Sequence, residues 1–355
     1  MIDHQTDLKQ LPNEIKPAFQ ELNVLKHLQQ AGFRKRFGFS CALLFQLVFV
    51  LLFHQRNWFR LLESSKGDSM PGKDAVYRFL NYAGCCAWRR FLTSLSVATV
   101  QKVNALTSAD RDTVFIIDDS MFERNRSKAF ELLARFKEHA TGAYYKGFRM
   151  LTMGWSDGHT FLPIDFPLLS SSKSSINGMS ESIDKRTHGY KRRQESLLSA
   201  PAVSALMLDR ALTAGATASY VLMYSWSTHA PLIGEVVARG LDVIGMVDNK
   251  RFLIQGQKLS IQELYAVAPP VVSKKRSNLR SIQTELPSGI PVRFVFVRHR
   301  SRKNEWLAIL ATDLTLTVED FIRIYAIRWD IEVFFKCTKS LLRLRWNFKA
   351  VPTSC

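Results

Sequence analysis

Cysteine is sparse and poorly spaced in this chain. The five cysteines, Cys41, Cys85, Cys86, Cys337 and Cys355, form no C-x-x-C pair and no ligand spacing with histidine, which argues against a disulfide framework or a cysteine–histidine metal site. Cys85 and Cys86 are adjacent and badly placed to bridge each other. Cys41 and Cys337 fall in apolar helical contexts, where a thiol behaves as a small hydrophobe, so reduced thiols in a cytoplasmic protein are the expectation. Long apolar runs are missing too. The longest, CALLFQLVFVLLF at 41–53, is interrupted by Gln46 and flanked by Arg34, Lys35, Arg36, Arg56 and Arg60. Spanning a bilayer takes about 20 apolar residues, so this run predicts a buried core helix capped by Ser40. The N-terminal MIDHQTDLKQLPNEIKPAF lacks the apolar core of a signal peptide, and no internal repeat is evident.

Acidic residues are in short supply. Asp and Glu number 31 against 49 Lys and Arg, a net charge of +18. Such an excess is usual for nucleic-acid binders and unhelpful for an enzyme acting on small neutral molecules. At 355 residues, 46% of them apolar, the chain suggests two or three domains with well-packed interiors.

Residues 1–110 read as helices, at roughly 13–31, 40–63, 73–82 and 87–106, with breaks at Gly32, at SSKGDSMPG (64–72) and at Gly84. KDAVYRFLNYAG and AWRRFL mix basic and aromatic side chains, which suits a helical DNA-contacting module or ordinary helices with snorkelling arginines. The character changes at 112. DTVFIID is a β-branched run that brings Asp118 and Asp119 out at the C-terminal end of a strand. Asp157–Gly158 marks a hairpin between two apolar strands. A Ser-rich, then basic, loop covers 171–194. Its Lys185, Arg186, Lys191, Arg192 and Arg193 form either a phosphate-binding patch or a solvated linker. A helix at 194–214, the strand ASYVLMYS, a helix at 230–239 and the strand LDVIGMV follow. Residues 251–312, with KLSIQELYAV, the basic SKKRSNLR and IPVRFVFVRHR, predict a small β-rich module with a positive face.

The stretch 317–344, TVEDFIRIYAIRWDIEVFFKCTKSLLRL, contains no Gly or Pro and predicts one long helix, N-capped by Thr317 with Glu319 in its first turn. Tyr325, Arg328, Glu332 and Lys339 stand at i, i+3, i+7 and i+14. On a continuous helix they share an arc of roughly 60° along about 21 Å, with Ile324, Ile327, Ile331 and Phe334 turned toward a core. Such a stripe fits a solvated face with ordinary charge pairs. It also fits a metal-bound phosphodiester, the carboxylate holding the metal and the cations gripping phosphates.

Taken with FIIDDS (115–120), RSKAFELLARFKEHATGAYYKGFRMLTMGWSDG (126–158) and VLM-x-SW followed by ARGLDVIGMV, the spacing Y-x2-R-x3-E-x6-K resembles the DDE transposases of bacterial insertion sequences, in the insertion-sequence-four group. The resemblance covers about 112–345. It implies an α/β fold with an RNase H-like mixed-sheet core, a β-rich insertion and an all-helical N-terminal domain. The implied division is 1–111 helical and DNA-binding, 112–250 first part of the core, 251–312 insertion, and 313–355 the glutamate helix. It further implies Mg2+-dependent (or Mn2+-dependent) cutting and joining of double-stranded DNA at element ends and target. A homodimer in a synaptic complex and a cytoplasmic, nucleoid-associated location belong to the same expectation.

Carried over by position, Asp118 is the first metal-binding acid, Asp119 its neighbour and the second choice for that role, and Glu332 the last acid. Tyr325, Arg328 and Lys339 contact the DNA backbone near the cleaved end. The chain departs from the pattern twice. Tyr224 stands where the second Asp belongs. A phenol is a neutral donor at pH 7 and a poor ligand for a hard divalent cation. Asp242 and Asp248, at the two ends of the next strand, are not obvious substitutes. The second departure is the ending RWNFKAVPTSC, which predicts a truncated C-terminus. Together they predict an inactive or impaired transposase, or a remnant that binds DNA without cutting it.

Overall fold

The computed structural model describes residues 15–54, 58, 62, 70–81, 85–137, 142–248, 251–254, 257–272, 279–298 and 306–341. The segment SKKRSN at 273–278 and the C-terminal ending lie outside them, as do Cys355 and the side chains of Cys85 and Cys86.

The N-terminal part is helical: α1 (Lys16–Glu21), α2 (Val24–Gln30), α3 (Cys41–His54), α4 (Lys73–Leu80) and α5 (Cys85–Leu106). The helix predicted over 13–31 is two helices, because Asn23 turns left-handed at φ 50°. The run at 41–53 is α3. Ser40 Oγ accepts from the Leu43 backbone N–H at 3.2 Å, and Cys41, Leu44, Leu47, Val50 and Leu51 are buried. No helix among the described residues is long and apolar enough to cross a membrane. Aromatic rings hold this unit together, with Phe33 4.5 Å from Trp88 and Phe45 5.3 Å from Phe91. Each such pair contributes about 0.5–1.5 kcal/mol beyond area burial. Helix α5 belongs to two cores: Ala87 and Phe91 pack on the other N-terminal helices, Val97 and Val100 on the sheet that follows.

That sheet begins with β1 (Val114–Glu123), β2 (Ala134–Lys137), β3 (Tyr144–Ser156), β4 (Phe161–Asp165) and β5 (Leu168–Leu169). The β3–β4 turn falls at Asp157–Gly158. Gly158 adopts φ 83°, and Asp157 Oδ1 accepts from the backbone N–H of His159 and Thr160 at 3.0 and 2.7 Å. Helices α6 (His188–Ser196) and α7 (Ala200–Thr213) then cover one face, followed by β6 (Tyr220–Met223), α8 (Ala230–Val237) and β7 (Asp242–Val247). The basic segment predicted as loop is helical from His188 onward, capped by the Thr187 hydroxyl. The helix predicted over 194–214 restarts at Ala200 under a Ser199 cap.

Residues 251–311 supply β8 (Arg251–Ile254), β9 (Gln257–Ser260), α9 (Ile261–Val267), β10 (Pro270–Val271), β11 (Leu279–Glu285), β12 (Pro291–Arg298) and β13 (Trp306–Ala311). Strands β10 to β13 continue the main sheet, whose order is β10-β11-β12-β13-β7-β6-β1-β3-β2, with β4 and β5 also on β3. β1 runs antiparallel to β3 and parallel to β6, and β6 parallel to β7. An antiparallel hairpin leading into parallel strands at the centre, with helices on both faces, is an RNase H-like α/β core.

The uninterrupted helix predicted over 317–344 is two helices, α10 (Val318–Ala326) and α11 (Trp329–Ser340). Between them the bonding tightens to i→i−3: Ile327 N–H donates to Ile324 at 3.0 Å and Arg328 N–H to Tyr325 at 3.1 Å. The Thr317 hydroxyl caps α10, accepting from Asp320 N–H at 3.1 Å. Phe321, Ile324, Ile331 and Phe335 are buried against one sheet face, with Ile327 and Phe334 packed beside them. Cys337, by contrast, is exposed; it faces solvent and not the apolar surroundings its sequence suggests.

Candidate functional site

Register brings the site together. Ile117 on β1 lies opposite Met223 on the parallel β6, so the next residues, Asp118 and Tyr224, come out side by side where β6 ends. β1 itself runs on to Glu123 along β3, so Asp118 and Asp119 lie within the strand and not at its end as the sequence predicts. Val114, Ile116, Asp118 and Ser120 share one face by strand alternation. On that face Val114 and Ile116 pack in the same cluster as Phe321, Ile324, Ile331 and Phe335 of α10 and α11. The helix pair therefore lies over Asp118. The turn at 327–328 aims Arg328 inward, where it is buried.

The Arg328 guanidinium joins the two candidate acids. Nη1 donates to Asp118 Oδ2 at 3.3 Å, and Nη2 makes a short bond to Glu332 Oε1. Its carbon stands 5.1 Å from the Tyr224 ring centroid and 5.9 Å from that of Tyr325. One cation thus sits among two carboxylates and two phenol rings (residues from β1, α10, α11 and the end of β6). Tyr224 is held by its own backbone: its carbonyl accepts from Ser227 N–H, Thr228 N–H and both their hydroxyls, at 2.9 to 3.2 Å.

Electrostatics follow from this crowding. Burial pushes the Asp118 carboxyl up to about 6, helped by the charges of Asp119 and Glu332. The Asp119 backbone N–H, donating to Asp118 Oδ1 at 2.8 Å, and Arg328 pull the other way. Burial also pushes the Tyr325 phenol up to about 12. Its hydroxyl is buried without a well-formed hydrogen bond, beside the Arg328 charge. Burial works against that charge, but Tyr325, Glu332 and Asp118 more than offset it and hold the guanidinium above its usual value.

The remaining candidates divide. Asp119 turns to the opposite face and binds Arg149 at 2.7 Å, whose guanidinium stands over Trp226 at 5.0 Å. Lys339 is exposed two turns beyond Glu332 and lines a cleft with Asp119 and Arg149. Asp242 begins β7, at the far end of the sheet, and accepts from Thr312 Oγ1 at 2.6 Å. Asp248 follows β7 and is exposed. Of the basic segment, Arg193 is paired with Glu131 and Arg186 with Asp184, while Lys185 and Lys191 are exposed and Arg192 half-buried. Sequence reasoning missed Arg149 and Trp226. The signal was present, since Arg149 lies opposite Met121, two residues along from Asp119 on the same face, but only the strand register reveals it.

Hard carboxylate oxygens are the donors Mg2+ takes, and Asp118 and Glu332 present theirs to one shared cationic partner, Arg328. Asp118 and Glu332 therefore fit one divalent ion. They do not fit a pair, because the position beside Asp118 offers a phenol; among the described residues no group of three or more His, Cys, Asp or Glu could hold a metal.

An RNase H-like sheet with an acid on its first strand and a second on a late helix defines a class of proteins whose acids gather on one part of the sheet. The chain belongs to the DDE superfamily endonucleases, whose sequence profile matches residues 32–302. Nucleases of this superfamily generally use divalent metals. Among solved structures, the piggyBac transposase synaptic complex with hairpin DNA is 14% identical, with a TM-score of 0.40, over 94% of this chain and 60% of that one. The Drosophila P element transposase strand transfer complex is 12% identical, with a TM-score of 0.30, over 72% of this chain and 55% of that one. The chain thus spans less than two thirds of either. No curated protein sequence matches it.

Proposed function

We propose that the chain is a transposase of an insertion element, related to the insertion-sequence-four group through Tyr325, Arg328, Glu332 and Lys339. It binds double-stranded DNA at the element's ends and at the target, as a homodimer in a synaptic complex on the nucleoid. Residues 1–111 and the insertion at 251–312 grip the terminal inverted repeats, and 112–250 with 313–355 form the catalytic core. The observation that carries this is the convergence of Asp118 and Glu332, 214 positions apart, on a single arginine where the parallel pairing of β1 and β6 ends. A net charge of +18 supports a polyanionic partner.

Asp118 and Glu332 would hold one Mg2+ or Mn2+, with Asp119 as the alternative to Asp118. When bound, such an ion activates an attacking oxygen and stabilises the leaving one. Arg328 keeps the two carboxylates together, and Lys339 offers charge to the backbone beside them. Lys185, Arg186, Lys191, Arg192 and Arg193 add phosphate contacts along α6 and the turn before it. Tyr224 supplies neither charge nor a hard ligand where a third acid would complete the site. Cutting is therefore impaired by orders of magnitude, and DNA binding without cleavage is the second reading.

Nicking of duplexes from the element's own ends, with Mg2+ or Mn2+, tests both. Wild type should bind and scarcely nick, whereas Tyr224→Asp should gain nicking that Asp118→Asn abolishes. Binding with no gain in Tyr224→Asp would favour the binding remnant. No binding to any DNA at low salt would sink the proposal.

A further inference from the structure

Three hydroxyls around Asp118 are buried with no hydrogen-bond partner among the described residues: Thr152 Oγ1, Ser120 Oγ and Tyr325 Oη. A buried donor left unpaired gives up its hydration and gains nothing in return, so each calls for a reason. Tyr325 stands beside the Arg328 charge. Ser120 lies two residues along β1 from Asp118, about 7 Å away at strand spacing. Thr152 is placed differently. On β3 it is the residue directly opposite Asp118 in the antiparallel register, and it is 1% exposed.

The surroundings of Thr152 offer its hydroxyl little else. Met150 and Gly154 are its neighbours on that face of β3. The Phe161 ring lies so close over Gly154 that an added Cβ would stand 2.1 Å from its Cζ, and the same ring packs on Phe334 of α11 at 5.0 Å. Valine has the shape of threonine and would suit this apolar lining with no hydroxyl to bury. Opposite residues of an antiparallel pair have Cβ atoms about 4.5–5.5 Å apart, a span that a threonine hydroxyl and a carboxylate oxygen can bridge by rotation about χ1. In this structure both Asp118 oxygens turn elsewhere, Oδ1 to the Asp119 N–H at 2.8 Å and Oδ2 to Arg328 at 3.3 Å. The second bond is long for a charged pair, which makes it the weaker of the two holds on the carboxylate.

We infer that Thr152 is a positioning residue for Asp118. When a divalent cation takes the place of Arg328 at the carboxylate, the Thr152 hydroxyl donates to that carboxylate and fixes its direction. This rests on the metal-binding reading of Asp118 and Glu332 and adds the residue that orients the first of them. Thr152 acts through Asp118 and takes no part in bond cleavage.

Electron paramagnetic resonance of Mn2+ titrated against the full chain carrying Tyr224→Asp tests it, with Asp118→Asn added in a parallel sample to identify the site. Adding Thr152→Val should weaken Mn2+ binding at that site about tenfold or more, the usual loss when a metal-binding side chain loses its outer partner. The same change should leave the metal-free thermal midpoint equal or higher, because it removes an unpaired buried hydroxyl without altering shape. Adding Thr152→Ser, which keeps the hydroxyl and loses the methyl, should hold Mn2+ affinity within about twofold and lower the midpoint. A threonine that only packs gives the opposite order, with valine harmless and serine the worse variant. Mn2+ binding by the valine variant equal to its parent's, or a serine variant as weak as valine, overturns the inference and leaves the metal-binding reading standing. Absence of any Mn2+ binding that Asp118→Asn removes overturns both. Thr152→Ala, which also lacks the hydroxyl, carries the test if the valine variant loses its circular-dichroism spectrum.

Discussion

Replacing Asp118 by Asn removes a charge while leaving the shape of the side chain and its acceptor for the Asp119 N–H. The native carboxyl is raised from 3.8 to about 6, chiefly by burial. Between those values the folded chain binds more proton than the unfolded chain, so stability falls as pH rises through the window. Below about pH 3 the group is protonated in both states and costs nothing. Above pH 6 it is a buried anion, at a cost of ~3 kcal/mol relative to its neutral form. The variant escapes that cost, and the attraction of Arg328 is already contained in it, since Arg328 is one of the groups that set the raised value. Asp118→Asn should therefore gain about 2–3 kcal/mol on wild type between pH 3 and pH 8. Urea denaturation of both proteins at the two pH values, without divalent ions, measures the difference. A gain that is the same at both pH values, or a variant less stable than wild type at pH 8, would refute a buried and penalised Asp118.

Other perturbations probe different contacts. Tyr224→Asp places a third carboxylate beside Asp118, and should lower the thermal midpoint at pH 8 while making it rise with added Mg2+ or Mn2+; a midpoint indifferent to the ions would argue against a metal site there. Arg89, on α5, is paired with Asp165 of β4 and Glu195 of α6, which Arg210 of α7 also binds. Arg89→Met should cost about 3–5 kcal/mol by leaving those acids undercompensated, visible in denaturation and as lost amide protection where α5 meets the sheet. A Cβ at Gly147 would lie 2.2 Å from the Phe122 carbonyl oxygen, a backbone atom that cannot step aside. Gly147→Ala should therefore destabilise the chain by about 1–3 kcal/mol or more and weaken the β1–β3 pairing beyond Asp118, readable by hydrogen exchange.

Local patterns in the chain carried much of the architecture. Asp157–Gly158 marks its hairpin because a left-handed glycine and an aspartate that binds the next backbone N–H groups are local chemistry. Ser40 and Thr317 mark helix starts for the same reason. The alternation of VFIIDDS places Asp118 and Asp119 on a strand, though not that it runs on to Glu123 beside β3, and the spacing of Tyr325, Arg328, Glu332 and Lys339 is legible without coordinates.

What the linear pattern could not provide was the turn at 327–328. Nothing in IYAIRWDI breaks a helix by propensity, and the tightened bonding there goes with the packing of both helices on one sheet face. That turn changed the stripe. Tyr325 is half-buried and Arg328 buried, while Lys339 reaches a different cleft. The neighbours of each acid were equally hidden, because a strand's partners depend on pairings between distant segments. The sequence by itself determined which residues could do the chemistry, since residue type and local periodicity are properties of the chain. Only the tertiary structure decided which of them meet. The parallel register sets Tyr224 beside Asp118, and the buried turn drives Arg328 between Asp118 and Glu332. Both are settled by the burial of apolar faces that lie more than a hundred residues apart.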